Sequence, residues 1–359
     1  MWFNRRSNNL VTSLPTMQAI TSDHSPNERH PCVIAHVPMP AVGDDEIRIR
    51  VAYAGVNRAD ILQRLGKYNP PAGDSPILGL EVSGIIDAVG AAVIGWSVGE
   101  PVAALTSGGG YAQFVSVAAT QVLAKPARIT LLELATLPEA CATAYMALIQ
   151  EANLTSGERV LIHGGASGVG IIMIQVARAL GAQVFATAST PAKHALIQSM
   201  GATALSYDAE DFANSARTQM GGHGVDVIID TLGGAYVAQH LALLNSNGRM
   251  VSLACLEGSK AEIPLGRMLM KHIRFSGITL RSRSAQEKAI IMEGVRKHLW
   301  PLIAAGYVVP VCDSTFPLAE TENAHQRMEN RLNCGKIVLE VNPHVAEDLE
   351  LPAANDNSQ

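Results

Sequence analysis

The chain has 359 residues, 48% hydrophobic and 16% charged, with a net charge of −5 and a pI of about 6.1. That balance is globular, leaves room for two domains of ordinary size, and offers no basic surface for general nucleic-acid binding. No apolar run reaches membrane-spanning length, and the five scattered cysteines (Cys32, Cys141, Cys255, Cys312, Cys334) suit a reducing cytoplasm, with neither a disulfide framework nor a zinc knuckle.

Residues 1–16 read as an extension without periodicity. Arg5 and Arg6 lack a long apolar core after them, so no signal peptide is expected. Met17-Gln18-Ala19-Ile20 opens the fold. Through residue 125 short apolar runs alternate with Gly, Pro, Asn and Asp, as at Glu46–Val56, Gly84–Val89, Pro101–Leu105 and Ala112–Ser116. Closely spaced short strands of this kind predict a compact β domain. From Leu131 to Glu151 the period turns helical.

Arg159–Thr190, RVLIHGGASGVGIIMIQVARALGAQVFATAST, then organises the chain. Val160–His163 predicts a buried parallel strand, Ile171–Leu180 a helix stopped by Gly181, and Gln183–Ala188 the next strand. Between strand and helix lie Gly164, Gly165, Ala166, Ser167, Gly168, Val169 and Gly170. Strand, glycine-rich turn, helix, strand is the first unit of a dinucleotide-binding fold. A pyrophosphate must approach backbone N–H groups at a helix N-terminus, where the dipole favours negative charge and a Cβ would intrude. The fingerprint here is Gly165-x-Ser167-x-x-Gly170, with serine in place of the middle glycine.

An absence follows. NAD-dependent folds carry an acid about 20 residues past the glycines to hold the ribose hydroxyls. Between Gly170 and Asp208 this chain has neither Asp nor Glu. The second strand offers Thr187, Ser189 and then Lys193, groups that suit a 2′-phosphate, so NADPH is expected over NADH.

The alternation continues. Helices are predicted at Pro191–Met200, Ala235–Leu244 and Glu287–Ile303, and strands at Ala204–Tyr207, Val225–Thr231, Gly248–Ala254 and Arg274–Leu280. Alternating strand and helix predicts an α/β half with a doubly wound parallel sheet, and the Gly turn, Asp230–Gly234 and Leu253–Leu256 should converge at its carboxyl edge. Val308–Leu318 and Lys336–Val341 are strand-like again and fit a return to the first domain. Residues 342–359 are polar and acidic and read as a disordered tail.

With these pieces placed, the chain resembles the zinc-free quinone oxidoreductases of the medium-chain dehydrogenase/reductase superfamily, closest to their p53-inducible branch. The resemblance runs from about Met17 to Val341. It is carried by GVNRADILQRLGKYNPP, ILGLEVSG, PEACATAYMAL, GERVLIHGGASGVG, DTLGG, LRSR and GKIVLE. It implies a GroES-like, β-rich catalytic domain split around a Rossmann NADPH-binding domain. The divisions become an extension (1–16), catalytic domain (17–142), Rossmann domain (143–280), catalytic return segment (281–341) and tail (342–359). It also implies hydride transfer to a quinone-type electrophile, and a homodimer joined through the edge at Ile273–Leu280.

Residue by residue, the resemblance sets Asn57 and Asp60 at the nicotinamide cleft. It sets Thr143 against the cofactor, Ser189, Lys193, Tyr207 and Arg331 at the adenosine 2′-phosphate, and Ser252, Leu253 and Ala254 where backbone lines the nicotinamide. Gly165, Ser167, Gly168, Val169 and Gly170 hold the pyrophosphate. Zinc-dependent relatives supply cysteine where this chain has Asn57 and G-H-E where it has Gly79-Leu80-Glu81; Leu80 cannot ligate and Asn57 is a poor substitute for a thiolate, so no metal is expected.

The candidate catalytic residues are Asn57, to orient cofactor or acceptor carbonyl; Tyr68, to stack on a flat ring or donate a hydrogen bond; and Asp60, in a structural or water-ordering role. Each has a plainer reading: Tyr68 as a loop-packing aromatic, Asp60 as a helix cap, Arg281 and Arg283 as solvated cations, His163 and Cys141 as core. The expected activity is an NADPH:quinone reductase, cytoplasmic, with no nucleic-acid or membrane partner. An NADPH-dependent reductase of enals, enones or enoyl thioesters is the alternative on the same fold. A structural or RNA-binding protein of the ζ-crystallin type is the alternative from another class, disfavoured by the net negative charge.

Overall fold

The structure is a computed structural model that describes residues 15–22, 30–207 and 211–347. The expected extension up to residue 14 and the tail beyond residue 347 lie outside the described residues. β1 (Thr16–Ser22) and β2 (Cys32–Pro38) form an antiparallel ribbon. There follow β3 (Glu46–Gly55), α1 (Arg58–Arg64), β4 (Glu81–Val89), β5 (Pro101–Leu105), β6 (Phe114–Ala118) and β7 (Val122–Ala124). α2 (Leu131–Leu134) and α3 (Pro138–Ala144) lead through wider, π-type turns at Tyr145–Glu151 into β8 (Arg159–Ile162).

The α/β half then runs α4 (Gly168–Ala179), β9 (Gln183–Thr187), α5 (Pro191–Ser199), β10 (Thr203–Leu205), α6 (Phe212–Gln219), β11 (Val225–Asp230), α7 (Tyr236–Leu243), β12 (Leu244–Ser252), α8 (Leu265–Lys271) and β13 (Arg274–Gly277). α9 (Ala285–His298), α10 (Trp300–Ala305), β14 (Cys312–Pro317), α11 (Thr321–Glu329), β15 (Lys336–Glu340) and α12 (His344–Glu347) complete the chain.

Six strands in the order β10-β9-β8-β11-β12-β13 form an entirely parallel sheet. Counted from β8 this is 3-2-1-4-5-6, the dinucleotide-binding order, and its direction reverses between β8 and β11. The central strands are apolar on both faces because helices cover both: Val160, Leu161, Ile162, Val227, Ile228 and Ile229 are all fully buried. The glycine turn after β8 therefore opens at the point where ligands bind in such sheets.

The second sheet has the order β14-β15-β3-β4-β5-β7, with β6 also on β3. β3 is long enough to pair β6 through Glu46–Arg50 and β15 through Tyr53–Gly55. The late strands thus close the sheet that the early strands began, and the α/β half is inserted between them. One continuous core joins the halves: Ala52, Leu105 and Leu123 of the second sheet share it with Ala140, Cys141 and Ala144 of α3 and with Ile172 and Val176 of α4. Small residues on α3 permit this close approach.

The fold is thus α/β, with a GroES-like lobe and a parallel-sheet Rossmann lobe. Several boundaries differ from expectation. β13 stops at Gly277, because Ile278 and Leu280 turn inward and are buried. α12 extends the ordered fold to residue 347, where Val345 anchors it with no exposed surface. Residues 342–347, which the sequence reading put in the tail, are thus part of the described fold. Among the described residues no helix is long and apolar enough to cross a membrane.

Candidate active site

The site grows from one buried carboxylate. Glu81 opens β4 and has no solvent exposure. Its Oε1 accepts from Asn57 Nδ2 at 2.9 Å and from the Lys336 ammonium, and its Oε2 accepts from the Glu139 backbone N–H at 3.0 Å. The ammonium also donates to Asn57 Oδ1 at 2.6 Å. Side chains from β4, the N-cap of α1 and the start of β15 thereby close a ring of three, with α3 attached through its backbone. Gly55 leaves the space: a Cβ there would lie 2.3 Å from Glu81 Oε1. Asn57 caps α1 in extended backbone, but its amide serves this ring. Such a buried ion pair holds only because hydrogen bonds satisfy the remaining lone pairs.

Asp60 stands behind Asn57. It is fully buried and accepts from Asn57 N at 2.8 Å, Gly79 N at 3.1 Å and Tyr111 Oη at 3.0 Å. Burial pushes its carboxyl up to about 6, partly offset by these donors and by Lys336. With no exposed surface it does not face the cleft. It fixes the start of α1 and the loop before β4, so its place is that of a positioning group. Tyr111 lies 3.3 Å from His325 Nε2, and Arg64 joins His325 Nδ1 at 3.3 Å and Glu322 at 2.6 Å, tying this layer to α11.

Tyr68 lies half-buried in the loop after α1. The Arg281 guanidinium stands 5.7 Å from its ring centroid. Arg281 is buried, donates to Ser107 O at 3.0 Å, and leaves Nη2 without a partner, so it is not the solvated cation that the plainer reading expected. Lys288 of α9 is buried beside it, with its ammonium 2.5 Å from Ser107 Oγ. Burial raises the Tyr68 phenol above its ordinary value; Glu139 adds to that and Arg281 opposes it. Arg283, by contrast, forms an exposed i,i+4 pair with Glu287.

The glycine turn borders this cleft. Ser167 caps α4, accepting from Gly170 N at 3.0 Å, and its hydroxyl hydrogen is left to donate. The N–H groups of Gly168 and Val169, the first two of the helix, have no carbonyl one turn earlier to bond. Those groups fit a nucleotide phosphate. The glycines serve packing as well as approach: a Cβ on Gly165 would lie 2.6 Å from Ala186 Cβ, and one on Gly170 2.3 Å from Gly164 O. A Cβ on Gly168 would meet Lys336 Cγ at 2.5 Å, so the lysine stem crosses the turn itself. Gly335 N donates to Ala166 O at 2.9 Å and ties the same two segments.

Of the groups expected at a 2′-phosphate, Lys193 and Arg331 are in contact. Ser189 is exposed, Lys193 Nζ donates to Arg331 O at 2.6 Å, and Arg331 pairs with Glu257 at 3.1 Å. Tyr207 is half-buried nearer the sheet edge and accepts from Tyr236 through its carbonyl. Thr187 departs from expectation: its hydroxyl lies 3.0 Å from His163 Nδ1 and takes the Gly164 N–H, pointing inward. His163 and Cys141 are buried, in keeping with their plain core reading. On the far side Asp230 holds the N–H groups of Leu232 and Gly233 and receives Leu253 N on its carbonyl, setting half-buried Leu253 and Ala254 at the cleft. Thr143 lies half-buried on α3.

Sequence reasoning did not single out Glu81, Glu139, Lys288 or Lys336. The signal for two of them was present: an acid inside the apolar run ILGLEVSG and a lysine heading KIVLE, each of which must find a partner when buried.

Residues 43–127 match the family described as "Alcohol dehydrogenase GroES-like domain", and residues 168–293 that described as "Zinc-binding dehydrogenase". The synaptic vesicle membrane protein VAT-1 homolog of Danio rerio is 31% identical over 326 residues, 86% of this chain and 67% of that protein. A mycocerosic acid synthase-like polyketide synthase of Mycobacterium tuberculosis is 32% identical over 308 residues, 84% of this chain; the chain spans only 14% of that protein's length. Among solved structures, the CurK enoyl reductase superposes with a TM-score of 0.79 at 28% identity, covering 90% of this chain and 99% of that one. Mycobacterial Rv1454c complexed with NADPH gives the same score, identity and coverage. The chain belongs to the medium-chain dehydrogenase/reductase superfamily.

Proposed function

We propose that this chain is an NADPH-dependent, zinc-free quinone oxidoreductase. The observation that carries the reading is the Lys336 ammonium, seated between Asn57 and Glu81. The resemblance to zinc-free relatives locates a metal site of the zinc-dependent ones at Asn57 and Leu80. Here that region is filled by a cation of the chain's own, and among the described residues no group of three His, Cys, Asp or Glu could hold a metal ion. A site without a Lewis acid cannot readily polarise an alcohol, whereas a quinone needs little activation. When bound, the nicotinamide supplies the hydride. Asn57, fixed by Lys336, Glu81 and Asp60, orients the reacting groups, and Tyr68 with Arg281 forms one wall for a flat acceptor.

The choice of NADPH rests on the absence of an acid between Gly170 and Asp208, on Ser189 and on the contact between Lys193 and Arg331. The NADPH complex of Rv1454c supports it. Similarity to the CurK enoyl reductase favours the second reading, reduction of an activated alkene. The same reading includes a homodimer through β13, an edge strand that carries exposed Phe275 and follows exposed Leu265, Leu269 and Met270 of α8.

The test is NADPH oxidation by chelator-treated protein with a simple benzoquinone, beside NADH and an enal. Fast quinone turnover with NADPH alone supports the proposal. Turnover of the enal alone moves the assignment to alkene reduction, and loss of all activity on chelation removes the zinc-free reading.

A further inference from the structure

We propose that Glu139 is the proton-delivering acid of the acceptor cleft, a role that rests on the reductase reading above. The hydrogen-bond arrangement carries the inference. Glu81 takes the nearby donors: the Lys336 ammonium, the Asn57 amide and the backbone N–H of Glu139 itself. No hydrogen bond from a described residue reaches the Glu139 carboxyl. Glu139 lies in the first turn of α3, half-buried, four residues before Thr143 on the same helix face, and its N–H is fixed to the carboxylate that holds Asn57.

The charged and titratable groups around it are known from every side. Glu81 of β4 and Asp60 of α1 disfavour its anion; Lys336 of β15 and Lys288 of α9 favour it. Its charge is also felt by Tyr68 and by Arg281. Burial outweighs the two lysines and, with Glu81, lifts the carboxyl to about 8. Glu139 is therefore mainly protonated at neutral pH, while Lys336 is engaged by Glu81.

The step balances simply. An acceptor that has gained a hydride carries one negative charge. The Glu139 O–H bond breaks as a new bond forms between that proton and the acceptor anion, on oxygen for a quinone or on carbon for an alkene. The carboxylate then regains a proton from water. A neutral Glu139 also avoids setting a second negative charge beside the developing anion.

The experiment pairs an infrared pH titration of the cofactor-free protein with pH–rate profiles, using wild type and Glu139→Gln. Wild type should show a protonated carboxyl band at neutral pH that disappears near pH 8. The band should be missing in Glu139→Gln. Wild-type kcat should fall above that pH, whereas Glu139→Gln should lose the alkaline limb and about a hundredfold of kcat, with nucleotide affinity unchanged. Absence of the band, or a variant that keeps wild-type kcat and its alkaline limb, overturns the proposal. If Glu139→Gln does not bind nucleotide, Glu139→Asp replaces it: retention of band and limb supports the proposal, loss of the limb with the band intact overturns it. Wild type that reduces an enal but no quinone overturns the quinone reading alone, and the limb measured with the enal still decides the role of Glu139.

Discussion

Lys336→Met tests whether the ring around Glu81 holds the site together. Methionine keeps the stem that lies across Gly168 and removes only the ammonium. The Glu81 carboxylate, with no solvent exposure, then keeps two hydrogen bonds but loses its countercharge. Removing one partner of a buried pair costs about 3–5 kcal/mol, because the other charge stays buried and uncompensated. For a chain of this length that is a fall in Tm of roughly 4–7 °C. Glu81→Gln/Lys336→Met, with neither charge, should return to within about 2 kcal/mol of wild type. Thermal and urea unfolding of the four proteins give the double-mutant cycle. Two additive single losses would show that the charges do not depend on each other. A loss below about 1 kcal/mol for Lys336→Met would mean that the pair behaves as a surface one.

Other outcomes follow from the same geometry. Asn57→Ala removes the amide between Glu81 and Lys336 and should lower kcat by about a hundredfold through misplacement, read in steady-state kinetics. Lys193→Ala should raise KM for NADPH by roughly tenfold, the loss of one charged hydrogen bond, and leave KM for NADH unchanged. Asp60 holds its proton more firmly folded, with its carboxyl at about 6, than unfolded near 3.8, so the folded state binds more protons between those values. Its contribution to stability therefore declines as pH rises through that window, and Asp60→Asn, though less stable by about 1–3 kcal/mol from donors now facing an amide, should lose that part of the slope of Tm against pH. Phe275→Asp on the exposed edge strand should convert a dimer to a monomer in sedimentation velocity, and an unchanged sedimentation coefficient would place the contact elsewhere.

Much of the fold was legible because local chemistry agrees with topology. VLIH ahead of a glycine turn can hardly be anything but a buried strand, and Gly181, with positive φ, stops its helix where the sequence said. What could not be read were long-range pairings. Thr187 looked like a phosphate ligand because it lies beside Ser189. Thr187 is the last residue of β9 and its hydroxyl satisfies His163 beneath the turn, whereas Ser189 lies past the strand end, where strand alternation no longer fixes which way a side chain faces.

The partners of Lys336 were illegible for a deeper reason. Lys336 is 279 residues from Asn57 and 255 from Glu81, and nothing in GKIVLE announces either partner. Its meaning depends on β15 returning antiparallel to β3, which brings its head to the N-cap of α1 while its stem lies on the cofactor turn. A single lysine thus touches both the pyrophosphate turn and the Asn57 amide. Any shift of α4 against β15 is carried directly to the group that orients the reaction. The two lobes share a core through α3, and the same helix carries Glu139, whose N–H is fixed to Glu81. Cofactor turn, orienting amide and acid are therefore set by one ring of buried polar contacts, and the cost of burying that ring is repaid as rigidity at the site where misplacement by an ångström is most damaging.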